Sequence, residues 1–125
     1  MEKESKNLEI LIEKIRHCWV MVEGKKDKAA LMQLGCPNIL TISGNLKISC
    51  QKLETLKPIP DEVVILTDFD RRGKQLALLA KDELEAHSIR ADLKTRFELG
   101  RILKIRYFED VKRHYDELTQ GEIHG

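Results

Sequence analysis

The sequence predicts an α/β fold: a roughly four-stranded, mostly parallel sheet flanked by helices. Two observations carry this. Short apolar runs rich in strand-forming residues alternate along the chain with segments of helical period, and alternation of that kind implies parallel strands joined by right-handed crossovers. The clearest run, "EVVILT" (62–67), is apolar at consecutive positions, as a strand covered by helices on both faces requires.

The elements follow in order. Leu8, Leu11, Ile12 and Ile15 recur at i, i+3, i+4 and i+7, so the first segment is an amphipathic helix packed by one stripe. "HCWVMV" (17–22) is a buried strand closed by Glu23-Gly24. Ala29, Ala30, Leu31 and Leu34 form the next helix, stopped by Gly35 with Pro37 after it. "NILTI" (38–42) is a second strand, ended by Ser43-Gly44-Asn45, and a weaker helix spans about 46–56 before Pro58 and Pro60. After the strand 62–67, Leu76, Leu79, Ala80 and Leu84 pattern a helix. "SIRADL" (88–93) alternates Ile89, Ala91 and Leu93 with Arg90 and Asp92, which predicts a strand with one exposed face. The period of 95–107 does not decide between helix and strand. Phe108, Val111, Tyr115 and Leu118 support a last helix.

At 125 residues the chain is one domain, with an N-terminal helix over 1–16, a core over 17–93 and a C-terminal helical extension over 94–125. Its 34% of charged residues nearly cancel to a net +1, so any affinity for nucleic acid must come from local charge placement. Three cysteines, none in C-x-x-C spacing, argue against a disulfide framework and a zinc site and for a reducing, cytoplasmic location. No apolar run approaches the ~20 residues of a membrane span, so no membrane partner is expected.

The stretch "VVILTDFDRRGKQ" (63–75) drives an apolar strand into Asp68 and Asp70 and follows them with Arg71, Arg72 and Lys74. Ligands of open parallel sheets bind at the carboxyl ends of the strands. Glu23 ends the first strand and Asp68 the third, so if those strands are neighbours the two acids meet despite their distance in sequence. Asp70, two residues beyond Asp68, points the same way in extended backbone. Three converging carboxylates raise one another's pKa unless a cation lies between them, and hard oxygen ligands suit Mg²⁺ or Mn²⁺. Taken singly, each feature has a plainer explanation. Glu23 would serve as a cap or surface acid, and Arg71, Arg72 and Lys74 as a solvated helix face. Asp27 would stabilise its own helix through the dipole.

Together, "VMVEGKKDKAAL" and "VVILTDFDRRGKQLA" resemble the Toprim domain, shared by type IA and type II topoisomerases, DnaG-type primases, OLD-family nucleases, 5S ribosomal RNA maturation nucleases and RecR-like repair proteins. The resemblance covers roughly residues 17–93 and implies a Rossmann-like Toprim fold. It implies that Asp68 and Asp70 hold Mg²⁺ (or Mn²⁺), and that Glu23 ligates the metal or acts as general acid/base. Gly24 is implied to turn the backbone tightly into the helix, Asp27 to complete the first motif and Gly73 to open the helix after the second. The resemblance implies that Arg71 or Arg72 faces a phosphate. From charge alone, Arg96, Arg101, Lys104 and Arg106 with Arg71, Arg72 and Lys74 read either as a phosphate-tracking patch or as an ordinary charged helix face.

Topoisomerases need a further domain bearing a nucleophilic tyrosine, and Tyr107 and Tyr115 are expected to be packing residues on a helix. Primases need a zinc-binding region, and the 5S RNA nucleases a larger C-terminal region than the about thirty residues that follow Leu93 here. The expectation is a small stand-alone Toprim protein. Its expected function is Mg²⁺-dependent action on nucleic-acid phosphodiester bonds, as an RNA- or DNA-processing nuclease, with a protein partner as a possible source of specificity. The alternative is a non-catalytic module that binds nucleic acid or protein. A haloacid-dehalogenase-type phosphatase is more remote, because that chemistry places D-x-D on the first core strand.

Overall fold

A computed structural model describes residues 2–42 and 44–124, with side chains placed for 3–42 and 44–120. Ser43, expected in the turn after the second strand, lies outside the described residues. The chain runs α1 (Glu2–His17), β1 (Trp19–Val22), α2 (Lys25–Gln33), β2 (Ile39–Thr41), α3 (Leu46–Glu54), β3 (Glu62–Ile65), α4 (Arg71–Ala86), β4 (Arg90–Asp92), α5 (Lys94–Leu103), a 3₁₀ turn (Phe108–Asp110) and α6 (Val111–His124). The four strands form one sheet in the order β2-β1-β3-β4, and every pairing is parallel. The sheet is therefore wholly parallel, as the alternation of strands and helices implies.

Strand geometry sends alternate side chains to opposite faces and so divides the core in two. Val20, Val22, Val64 and Leu66 pack with Leu8, Ile12 and Ile15 of α1, Ala30 and Leu31 of α2, Leu99 and Ile102 of α5, and Phe108. On the other face Met21, Val63 and Ile65 pack with Cys50 and Leu53 of α3 and Ala77, Ala80 and Leu84 of α4. Burying a large aliphatic side chain is worth about 1.5–3 kcal/mol, so these two layers supply most of the driving force for folding.

The buried stripe of α4 is Gly73, Ala77, Ala80 and Leu84, while Leu79 is 58% exposed. The expected stripe was thus misplaced at Leu79, because small residues rather than leucines face the sheet and let α4 lie close to it. Asp92 is also buried, although the alternation of 88–93 put it on an exposed face. It accepts hydrogen bonds from the backbone N–H of Lys94 and Thr95 and from the Thr95 hydroxyl, and pairs with Lys14 of α1 at 2.8 Å. Residues 94–103 form a helix whose buried positions include Leu99, Ile102 and Leu103. Tyr107 lies outside any helix and is partly exposed. Tyr115 is on α6 and its hydroxyl donates to Glu9. Among the described residues no helix is long and apolar enough to cross a membrane.

The strand order decides where a ligand can sit. From β1 the chain crosses to β2 on one side, and from β3 to β4 on the other. The crevice between the ends of β1 and β3 is therefore the topological switch point, where connections leave in opposite directions.

Candidate functional site

Glu23 follows β1 and Asp68 lies three residues past β3, so neighbouring parallel strands deliver both acids to the switch point. They touch: the Asp68 backbone N–H donates to Glu23 Oε2 at 2.7 Å. Asp68 Oδ1 in turn accepts from the Phe108 backbone N–H at 2.7 Å, which brings the 3₁₀ turn over the site. Burial is the main reason the Asp68 carboxyl is pushed up to about 7. The Phe108 N–H opposes the shift, and the charges of Asp27 and Glu23 add to it.

Asp70 is placed differently. It is the N-cap of α4, and its Oδ1 accepts from the Gly73 N–H at 2.7 Å. Asp27 is buried, and its Oδ2 accepts from the Gly24 N–H at 3.1 Å, closing the first turn of α2. Burial also raises the Asp27 carboxyl, with Glu23 and Glu109 contributing and the Gly24 N–H opposing. Gly24 itself has φ −151° and ψ −176°, extended backbone that any residue adopts, so the turn into α2 does not demand glycine. Gly73 is different, since a Cβ there would lie 2.0 Å from the Asp68 carbonyl oxygen. Glycine is what lets the first turn of α4 close against the acid-bearing loop.

A cleft of about 340 Å³ opens over these groups, lined by the acids Glu23, Asp27, Asp68 and Glu109 and the cations Lys25, Lys26 and Arg72. Asp70 is not among its lining residues. Arg71, Arg72 and Lys74 are all exposed in the first turn of α4, and that turn carries no acid. Cations there oppose the helix dipole, so they do not serve helix stability. Arg96 does not join an exposed basic patch: it is half-buried behind the loop, where Nε donates to the Thr67 carbonyl at 2.8 Å and Nη2 to the Asp68 carbonyl at 2.6 Å. Burial lowers its pKa, while Glu23, Asp68 and Asp70 work to keep it charged. Arg101 is paired with Glu98 and Glu4 on the surface.

Among the described residues, no three His, Cys, Asp or Glu side chains stand together in an arrangement that could hold a metal ion as they are. Glu23 and Asp68 nonetheless fit Mg²⁺ as a donor set. This ion is commonly held by one or two carboxylates, with waters and substrate phosphates completing its shell. The raised Asp68 carboxyl marks the negative charge that a cation would relieve.

Glu109 and the Phe108 N–H were not legible as site groups in the sequence, because they lie about forty residues beyond Asp68 and reach the cleft only through the 3₁₀ turn. Lys25 and Lys26 had a signal, since they directly follow Glu23-Gly24.

Comparison with known proteins agrees with this architecture. A solved structure of a protein from Aquifex aeolicus superposes with a TM-score of 0.69 over 82% of this chain and 96% of that one, at 24% identity, and so shares the fold. A UPF0292 protein of Thermococcus onnurineus is 38% identical over 111 residues, covering 85% of this chain and 81% of the relative. Another, from Pyrococcus horikoshii, is 35% identical over 115 residues, covering 88% and 85%. The Toprim domain matches residues 19–102, a span that holds both acid-bearing strand ends and the glycine on which α4 closes, and the chain belongs to that family.

Proposed function

We propose that this protein is a Mg²⁺-dependent enzyme of nucleic-acid phosphodiester bonds, a nuclease whose acids are Glu23, Asp68 and Asp70. One observation carries the proposal. The two acids that end neighbouring strands meet at the switch point under an open cleft, and one of them is held at about 7 by burial and by other acids. Glu23 and Asp68 would hold the metal, with Asp70 joining if it leaves its cap on α4. Bound there, the cation would polarise the scissile phosphate and acidify an attacking water. The chain's own residues supply the rest. Glu23, which lines the cleft and accepts from the Asp68 backbone N–H, is placed for proton transfer. Arg72 and Lys26 at the rim would orient the phosphate, with Arg71 and Lys74 extending that contact along α4.

Cleavage of structured RNA, single-stranded DNA and duplex DNA with Mg²⁺, Mn²⁺ or chelator tests this directly. Metal-dependent cleavage by wild type that is lost in Asp68→Asn is the expected outcome, and no cleavage with any metal or substrate would sink it. Arg71→Ala with Arg72→Ala should weaken binding and flatten its salt dependence, because each phosphate contact releases counterions. Unchanged affinity and salt slope would remove these residues from the interface.

The use of Asp70 as a helix cap favours a second function, a module that binds nucleic acid or a protein partner without cleaving. Binding by wild type and Glu23→Gln alike, with no metal-dependent product, would select it.

A further inference from the structure

We infer that the segment from Arg96 to Phe108, which runs past the last residue matched by the Toprim domain, is a positioning element for Asp68. The inference rests on Asp68 being a metal ligand. Phe69, the residue between the two aspartates, is the hub. The Arg96 guanidinium lies 4.5 Å above its ring, and the Phe108 ring stacks on it with centroids 5.5 Å apart. Its backbone N–H donates to the Arg106 carbonyl at 2.9 Å. Below it is Gly100, where a Cβ would come within 2.4 Å of Phe69 Cζ. Glycine inside a helix is unfavourable on its own account, and here the space it leaves is filled by the Phe69 ring.

The same segment grips the residues on either side. Arg96 bonds the carbonyls of Thr67 and Asp68 with one rigid planar group, fixing two successive peptide units. The Phe108 N–H holds Asp68 Oδ1 and with it the plane of the carboxylate. Backbone, neighbouring ring and carboxylate are thus all set from residues 96–108. Groups that orient a ligand in this way tune metal affinity through it. Arg96, Gly100 and Phe108 are positioning residues; none lines the cleft.

The test is Mn²⁺ affinity, measured by electron paramagnetic resonance on variants shown to be folded by circular dichroism, with melting temperature recorded in parallel. Arg96→Lys keeps the charge but reaches only one of the two carbonyls, and its Mn²⁺ Kd should rise about 10–100-fold. Gly100→Ala should lower the melting temperature and weaken Mn²⁺ together. Adding Phe69→Leu to Gly100→Ala removes the clash, so the melting temperature should recover while the affinity does not. Wild-type affinity in Arg96→Lys, or affinity that simply follows melting temperature through the series, would overturn the inference. A wild type whose Mn²⁺ binding is unaffected by Asp68→Asn would instead remove the metal site itself, and the inference with it.

Discussion

Asp68 and Asp92 stand near the carboxyl ends of adjacent parallel strands, the first half-buried at the cleft and the second buried, and their carboxyls are shifted in opposite directions. Burial is the largest influence on each and acts upward in both. At Asp92 it is outweighed by Lys14, by Thr95 and by the N-terminal N–H groups of α5, so the carboxyl falls below its ordinary value. At Asp68 a single N–H opposes it, while Glu23 and Asp27 add like charge, and the carboxyl rises to about 7. The nearby Arg96 spends its donors on backbone carbonyls rather than on the carboxylate. Burial alone therefore does not set the direction of the shift; the supply of donors and cations does. Asp92 is complete within the fold, and Asp68 has an unmet demand for positive charge.

The largest effect expected from this contrast is catalytic. Glu23→Gln keeps shape and hydrogen-bonding capacity, so nucleic-acid affinity should hold while the cleavage rate falls about 10²–10⁴-fold, the range for losing a general acid or base. Equal rates in the two proteins would take Glu23 out of proton transfer.

Mg²⁺ comes next. At a hundred times its Kd it should stabilise wild type by about 2.7 kcal/mol, and Asp68→Asn far less. The Asp92→Asn protein should respond as wild type does. Matching responses in Asp68→Asn and wild type would place the cation elsewhere.

Without metal, the two aspartates should respond to the same substitution with opposite sign. Asp92→Asn breaks charge-assisted hydrogen bonds and should cost about 2 kcal/mol. Asp68→Asn removes a frustrated charge while Oδ1 still accepts from Phe108, and should gain on the order of 1 kcal/mol near pH 8. Chemical denaturation of the three proteins checks both signs, and destabilisation by both substitutions would erase the distinction.

The smallest effect is the pH slope. The folded carboxyl of Asp68 titrates at about 7 against an ordinary 3.8, so between those values the native state binds the extra proton. Asp68's contribution to stability is full below about 4 and is lost as pH rises through about 7. Asp92 does the reverse: its lowered carboxyl contributes stability above its ordinary value and loses it as pH falls through the depressed one. Metal-free Asp68→Asn should therefore show a flatter decline in melting temperature from pH 5 to 8 than wild type. Parallel profiles would deny Asp68 its raised value.

Much of the molecule was determined by local pattern. The 3.6-residue stripe of α1, the continuous apolar run of β3 and the acid-ended strands at Glu23 and Asp68 are properties of neighbouring residues, and each acts through backbone geometry that hardly depends on the rest of the chain. The α/β class and the parallel sheet follow from them, whereas the meeting of those two acids required β1 and β3 to be neighbours, which the strand order decided. Tertiary structure decided what local pattern could not carry. Asp92 reads as an exposed strand residue until Lys14, 78 positions earlier, is packed against it. The state of 95–107 is undecided by its period until α5 packs on the sheet, where Gly100 leaves the space that the Phe69 ring fills. Asp68 and Asp70 look equivalent in D-x-D, yet Phe108 turns one toward the cleft while Gly73 holds the other as a cap. The physical reason is the same in each case: the environment of a charge or a missing side chain is set by groups far away in sequence, which meet it only when the two layers close on the sheet.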